Sequence, residues 1–120
     1  MKIYIAGPMT GLPEYNFPAF DKAAAILTAQ GHEVFNPAQN DRDHGFDGAG
    51  LAGHEAERLG FSLRRALKQD LSWICDHAEA VAVLDGWHRS KGALTETALA
   101  VALGIPFAPV HHFDKAGVAA

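Results

Sequence analysis

Short apolar runs alternate along this chain with longer stretches in which apolar residues recur every three or four positions. Short runs bounded by turn residues read as buried strands, and the longer period reads as helices packed by one face. Lys2 to Ala6 (KIYIA) is a first strand, closed by Gly7-Pro8. Phe17, Phe20, Ala24 and Leu27 form one stripe of a helix from Phe17 to Gln30, with Asn16 as its cap, Pro18 in its first turn and Gly31 as its stop. Glu33-Val34-Phe35 is a shorter strand, stopped by Asn36-Pro37. A helix from Ser62 to His77 follows, then a strand from Ala80 to Leu84 that ends at Asp85. Lys91 to Leu103 (KGALTETALAVAL) is a helix closed by Gly104, and Ile105 to Val110 is a last strand with Pro106 at its edge or start.

Strands separated by helices imply parallel crossovers. The predicted fold is α/β: one domain over residues 1–120, a Rossmann-like (flavodoxin-like) three-layer sandwich around a parallel sheet. Such sheets bind ligands at the carboxyl ends of their strands, where the winding direction reverses. The first strand is expected beside the third, so that Gly7-Pro8 and Asp85 flank one crevice. Gly7 would allow close approach of backbone to ligand. The segment from Ala38 to Gly60 carries five glycines and mixed charge, and reads as a long flexible loop within the domain, with a short helix near Gly53 to Leu59.

Two carboxylates break the apolar pattern. Glu96 shares a helix face with Gly92, Ala93, Ala100 and Leu103, a small apolar surface on which an acid is out of place unless it has work to do. Asp70 falls within the stripe of Leu63, Ala66, Leu67, Leu71, Ile74 and Ala78, where burial is costly without a hydrogen bond or a cleft. The plain alternatives are a solvated Glu96, and an Asp70 that bonds a backbone amide or pairs with Arg64 or Arg65. The strand, the turn holding Ser90 and the start of the next helix also make a ready anion site. Trp87, in the turn between Asp85 and Ser90, is placed to stack on a base or to pack on the surface, and His88 adjoins it.

Composition narrows the function. A formal charge of -4 without a basic cluster argues against a nucleic-acid polymer as partner. No run approaches the ~20 apolar residues of a membrane helix. No leader is visible after Met1-Lys2, which points to the cytoplasm. Cys75 is the only cysteine and reads as a small buried residue on its helix. The seven histidines form no metal spacing. Asp41, Asp43, His44, His54 and Glu55 would hold a metal only if their segment folds around it. No metal or cofactor is expected, and no P-loop or nucleophile elbow is present.

Ile3-Tyr4-Ile5-Ala6-Gly7-Pro8, then Asp70-Leu71, Asp85 and Ser90-x-Gly92-x-x-x-Glu96 resemble the nucleoside 2-deoxyribosyltransferase-like superfamily, nearest to its short members and its 2'-deoxynucleoside 5'-monophosphate N-glycosidase branch. The resemblance runs from Lys2 to about Val110. It implies cleavage of the N-glycosidic bond of a 2'-deoxynucleoside or its 5'-monophosphate, by hydrolysis or base exchange. It implies Glu96 as nucleophile, Tyr4 as the hydroxyl that orients it, and Asp70 as an acid near the sugar. Asp85 would help protonate the leaving base, and Ser90 with Gly92 would hold the 5'-phosphate. The transferases carry Gly two residues before the nucleophile, where this chain has Leu94; the Ser90 spacing fits the hydrolases better. A homodimer or higher homo-oligomer is also implied. Two alternatives stand beside this reading: a non-catalytic nucleotide sensor, and a cytokinin-activating-type phosphoribohydrolase, whose Pro-Gly-Gly-x-Gly-Thr motif is missing.

Overall fold

A computed structural model describes residues 1–46 and 63–114. Four parallel strands, β1 (Lys2–Ala6), β2 (Glu33–Phe35), β3 (Ala80–Val83) and β4 (Phe107–Pro109), form one sheet in the order β2-β1-β3-β4. The expected α/β, Rossmann-like layering is present, with β1 beside β3. In β1, Ile3 and Ile5 turn to one face while Tyr4 and Ala6 turn to the other, as a two-residue period requires. Ile3 and Ile5 pack with Phe17, Phe20 and Leu27 of α1 (Phe17–Ala29). Tyr4 and Ala6 pack with Ile74 of α3 (Leu63–His77) and with Ala93 and Ala100 of α4 (Lys91–Leu103). Burial on both faces explains why β1 and β3 are continuous apolar runs rather than alternating ones.

Several local expectations change. The first part of the expected 38–60 loop is helical: Pro37–Asp43 is a helix, α2. Asn36 caps it by accepting the amide of Ala38, and Pro37 fills its first position. The helix expected near Gly53 to Leu59 lies outside the described residues, as do Ser62, His54 and Glu55. Asn16 occupies the start of α1 but does not cap it; its Nδ2 donates to the carbonyl of Pro8 at 2.9 Å. Glu14, Tyr15 and Asn16 all have φ between 51° and 61°. Three consecutive non-glycine residues in left-handed conformation are costly and persist only where their surroundings fix them. Here Tyr15 is buried and edge-on to Phe46. The last strand is shorter than expected and begins after Pro106. Cys75 is exposed, not buried: it follows Ile74, and one helical step turns it away from the sheet.

Gly7 has a packing role. A Cβ there would stand 2.8 Å from Leu84 Cβ, so the absence of a side chain lets the end of β1 lie against the residue that follows β3. At Gly92 the nearest atom to an added Cβ is Ser90 Oγ at 3.9 Å, so the fold does not demand glycine at that position.

Candidate active site

A cavity of about 260 Å³ opens at the carboxyl ends of β1, β2 and β3. Gly7, Met9 and Thr10 follow β1, Pro37 and Asp41 follow β2, and Ser90, Lys91 and Gly92 follow β3. Tyr4, Asp70 and Glu96 line its interior. Tyr15, Phe20 and Phe46 form an aromatic wall. Carboxyls, aromatic rings and a helix start therefore line a single cavity.

Glu96 lies on the inward face of α4 with Ala93, Thr97 and Ala100. Leu103, expected on the same face, is 48% exposed. The Tyr4 hydroxyl donates to Glu96 Oε2 at 2.6 Å. The Tyr4 ring is held by Phe35, stacked at 5.4 Å, and by Trp73 at 6.5 Å. Such packing fixes the phenol and hence the carboxylate it touches. Asp70 is buried in the row Ala66, Asp70, Ile74 of α3, where its Oδ1 has no hydrogen-bond partner. Buried polar atoms are nearly always paired, so an orphaned oxygen facing a cavity is a place for a ligand donor or a water.

Asp41 is a third acid in this cavity, and the sequence did not mark it as one. Glu96, Asp41 and Asp70 are only 5%, 6% and 7% exposed. Burial pushes the Asp41 carboxyl up to about 7, against smaller lowering influences from His44 and Arg42. Burial, reinforced by Asp41 and opposed by a hydrogen bond with Tyr4, raises Asp70 to about 7. Glu96 rises to about 8 through burial, opposed by the Tyr4 hydrogen bond and reinforced by Asp70 and Asp41. The Tyr4 hydroxyl is raised well above its usual range, first by burial and then by Glu96 and Asp70. A cluster of this kind holds protons at neutral pH and offers both protonated and ionised carboxyls, as acid–base chemistry requires.

Ser90 caps α4. Its Oγ accepts the amide of Ala93 at 3.2 Å, so that amide is occupied and is not left open to an anion. The amides of Lys91 and Gly92, in the first turn, have no intrahelical acceptor. Ser90, Lys91 and Gly92 all line the cavity.

The chain belongs to the family described as Domain of unknown function (DUF4406). Its model matches residues 1–108. Every residue named above as lining the cavity falls inside that span, so the site is part of what the family model describes. No curated protein matches the chain. No solved structure matches it.

The structure does not bring all the expected residues together. Tyr4, Gly7, Asp70, Ser90, Gly92 and Glu96 line this cavity. Asp85 is exposed and instead lines an open groove on the α1 side of the sheet, with Asn16, Lys22, His111 and Asp114. Trp87 packs edge-on against Phe107 at 5.4 Å and is not among the lining residues. Pro8 is not among them either; its ring lies beside Gly86. Asp41 and His44 do not join a metal cluster: among the described residues no group of three or more His, Cys, Asp or Glu side chains is arranged to hold a metal ion. Among the described residues, no helix is long and apolar enough to cross a membrane.

Proposed function

We propose that this protein cleaves the N-glycosidic bond of a 2'-deoxynucleoside or its 5'-monophosphate, with Glu96 as nucleophile. The observation that carries the reading is the Tyr4–Glu96 hydrogen bond, buried in a cavity whose second acid, Asp70, keeps an unpartnered oxygen. A carboxylate held by a phenol is the group needed beneath a sugar carbon that gains positive charge. Tyr4, Asp70, Ser90 and Glu96 are also the residues that carry the resemblance to the nucleoside 2-deoxyribosyltransferase-like superfamily. Tyr15, Phe20 and Phe46 offer flat apolar surface for a base, and the start of α4 suits a phosphate. Hydrolysis is preferred to base exchange on the Ser90 spacing. We place the enzyme in the cytoplasm, in keeping with its one unpaired, exposed cysteine.

The test is incubation with a panel of deoxynucleosides and their 5'-monophosphates, with and without a second free base, followed by chromatography of the released base. Release without added base indicates hydrolysis, and exchange indicates transfer. Tight binding without release would replace the enzyme by a sensor. Ser90→Ala should weaken monophosphate binding by about 1 kcal/mol, the size of one hydrogen bond or cap, because the hydroxyl is free to donate to a phosphate oxygen while its lone pair caps the helix. The unphosphorylated nucleoside should be affected much less. Equal loss on both substrates would mean that Ser90 only caps α4.

A homodimer is part of the same proposal. On the outer side of α4, Leu94 (44% exposed) and Val101 (66% exposed) lie two helical turns apart with exposed Ala98 between them, an apolar stripe suited to a second copy. Sedimentation should give at least twice the 12.8 kDa chain mass at micromolar concentration, and Val101→Lys should shift it toward one chain. A wild-type monomer would remove the dimer from the proposal.

A further inference from the structure

Cleavage of an N-glycosidic bond needs a proton on the departing base, and Asp85, on the other side of the sheet, lies outside the cavity that holds Glu96. We infer that Asp41, buried in the same cavity as the aromatic wall and the carboxyl pair, is the acid that protonates the leaving base; the inference rests on the glycosidic reading of the site.

The geometry begins with the contact between α2 and α3. Asn40 Nδ2 donates to Gln69 Oε1 at 3.0 Å, Gln69 Nε2 meets His44 Nε2 at 3.1 Å, and His44 Nδ1 meets the Asn40 carbonyl at 2.7 Å. This clamp joins α2 to α3, and Asp41 and Asp70, the residues that follow Asn40 and Gln69, both line the cavity. The chain after Asp41 is tied back to it: the Phe46 amide donates to the Asp41 carbonyl at 2.9 Å. The Phe46 ring, edge-on to Tyr15, lines the same cavity as Asp41. A base on the rings of Phe46 and Tyr15, with its sugar carbon at Glu96, would occupy the cavity that Asp41 lines.

The groups around Asp41 leave its carboxyl for a ligand. Arg42, on the same helix, is paired with Asp21 and lies over the Phe17 ring. His44 is held in the clamp. Asp70 on α3, Tyr4 on β1, and Glu96 and Lys91 on α4 line the same cavity. None of these gives it a side-chain hydrogen bond among the described residues. A carboxyl that lines a cavity without such a bond is open to a ligand in it.

The step balances without a further reagent. Glu96 forms a bond to the sugar C1', the C1'–N bond breaks, and its electron pair stays on the base, which takes the proton from Asp41. The Asp41 carboxylate then accepts a proton from water as the water oxygen attacks C1', and the bond to Glu96 breaks with its electrons returning to the carboxylate.

The decisive experiment compares two leaving groups: the deoxynucleoside monophosphate that wild type cleaves fastest, and 4-nitrophenyl 2-deoxyriboside 5-phosphate, whose phenolate departs without a proton. In single turnovers, which read release of the leaving group alone, Asp41→Asn should slow the first about a hundredfold, within the usual range for a lost general acid, and the second less than about fivefold. Glu96→Gln should slow both. The wild-type rate on the nucleotide should fall on the alkaline side between about pH 5 and about pH 9, and the nitrophenyl substrate should lack that fall. Matching thermal melts of wild type and Asp41→Asn exclude a folding defect, and the wild-type pH comparison stands without the variant. Equal losses of Asp41→Asn on both substrates, or no loss on either, would overturn the assignment while leaving Glu96 in place. Absence of cleavage of any substrate by wild type would instead remove the glycosidic reading, and this inference with it.

Discussion

Glu96→Gln should abolish base release, by about a thousandfold or more, while leaving the fold and the ligand affinity nearly intact. The amide keeps the reach of the carboxylate and can still accept the Tyr4 hydroxyl through its oxygen, so the 2.6 Å contact that anchors β1 to α4 has a replacement. What is lost is the negative charge and the nucleophilic oxygen. A sugar carbon developing positive charge would face a neutral dipole in a site shielded from water, where charge matters most. Affinity should persist because the surfaces assigned to base and phosphate, Phe46 with Tyr15 and Ser90 with Gly92, are untouched. The two measurements are calorimetric titration with a nucleotide and chromatography of released base. A variant within tenfold of wild type in rate would end the nucleophile assignment and favour a sensor.

The protein without ligand should become more stable as pH falls from about 8 to about 5. Carboxyls in an unfolded chain titrate near 4. In the folded protein burial raises Asp41 and Asp70 to about 7 and Glu96 to about 8. Between those limits the folded state binds more protons than the unfolded state, so stability decreases with rising pH. The contribution is complete below about pH 4 and is lost as pH rises through 7 to 8. Each extra bound proton is worth about 1.4 kcal/mol per pH unit where the difference is full. Paired surface carboxylates act in the opposite direction, so the sign itself is informative. Thermal melts across this range would measure it. The double substitution Asp41→Asn, Asp70→Asn should flatten the slope, and a melting point that is constant or rises from pH 5 to pH 8 would contradict the buried cluster.

The fold was legible where burial imposes a period. Ile3 to Ala6 and Ala80 to Leu84 carry no charged position because both faces of these strands are covered, and Phe17, Phe20 and Leu27 recur because α1 buries one stripe. Glu96 and Asp70 were legible for the same reason, as charges on stripes that should be apolar. Asp41 was not. It stands in NPAQNDRD, a segment without an apolar period, and the cavity it lines is a tertiary feature, shared with residues of α3 from far along the chain. Asn36-Pro37 was readable as a strand stop, yet the same pair serves as cap and first residue of α2. Asp85 was placed correctly at the end of β3, but a strand end has two sides, and periodicity does not say which one the following side chain takes. Cys75 shows how sharp the limit is, since one residue beyond buried Ile74 is already solvent.

The Tyr4–Glu96 bond joins residues 92 positions apart. Tyr4 belongs to the first strand and Glu96 to the last long helix, with the whole of β2, α3 and β3 wound between them. Closing so long a loop is entropically slow, and parallel sheets form late for that reason. No fragment of this chain that ends before α4 contains the site, however well it folds locally. Acquisition of the nucleotide binding proposed for it would therefore time, during refolding, the last long-range closure of the sheet, and the site would double as a clock for the completion of its own scaffold.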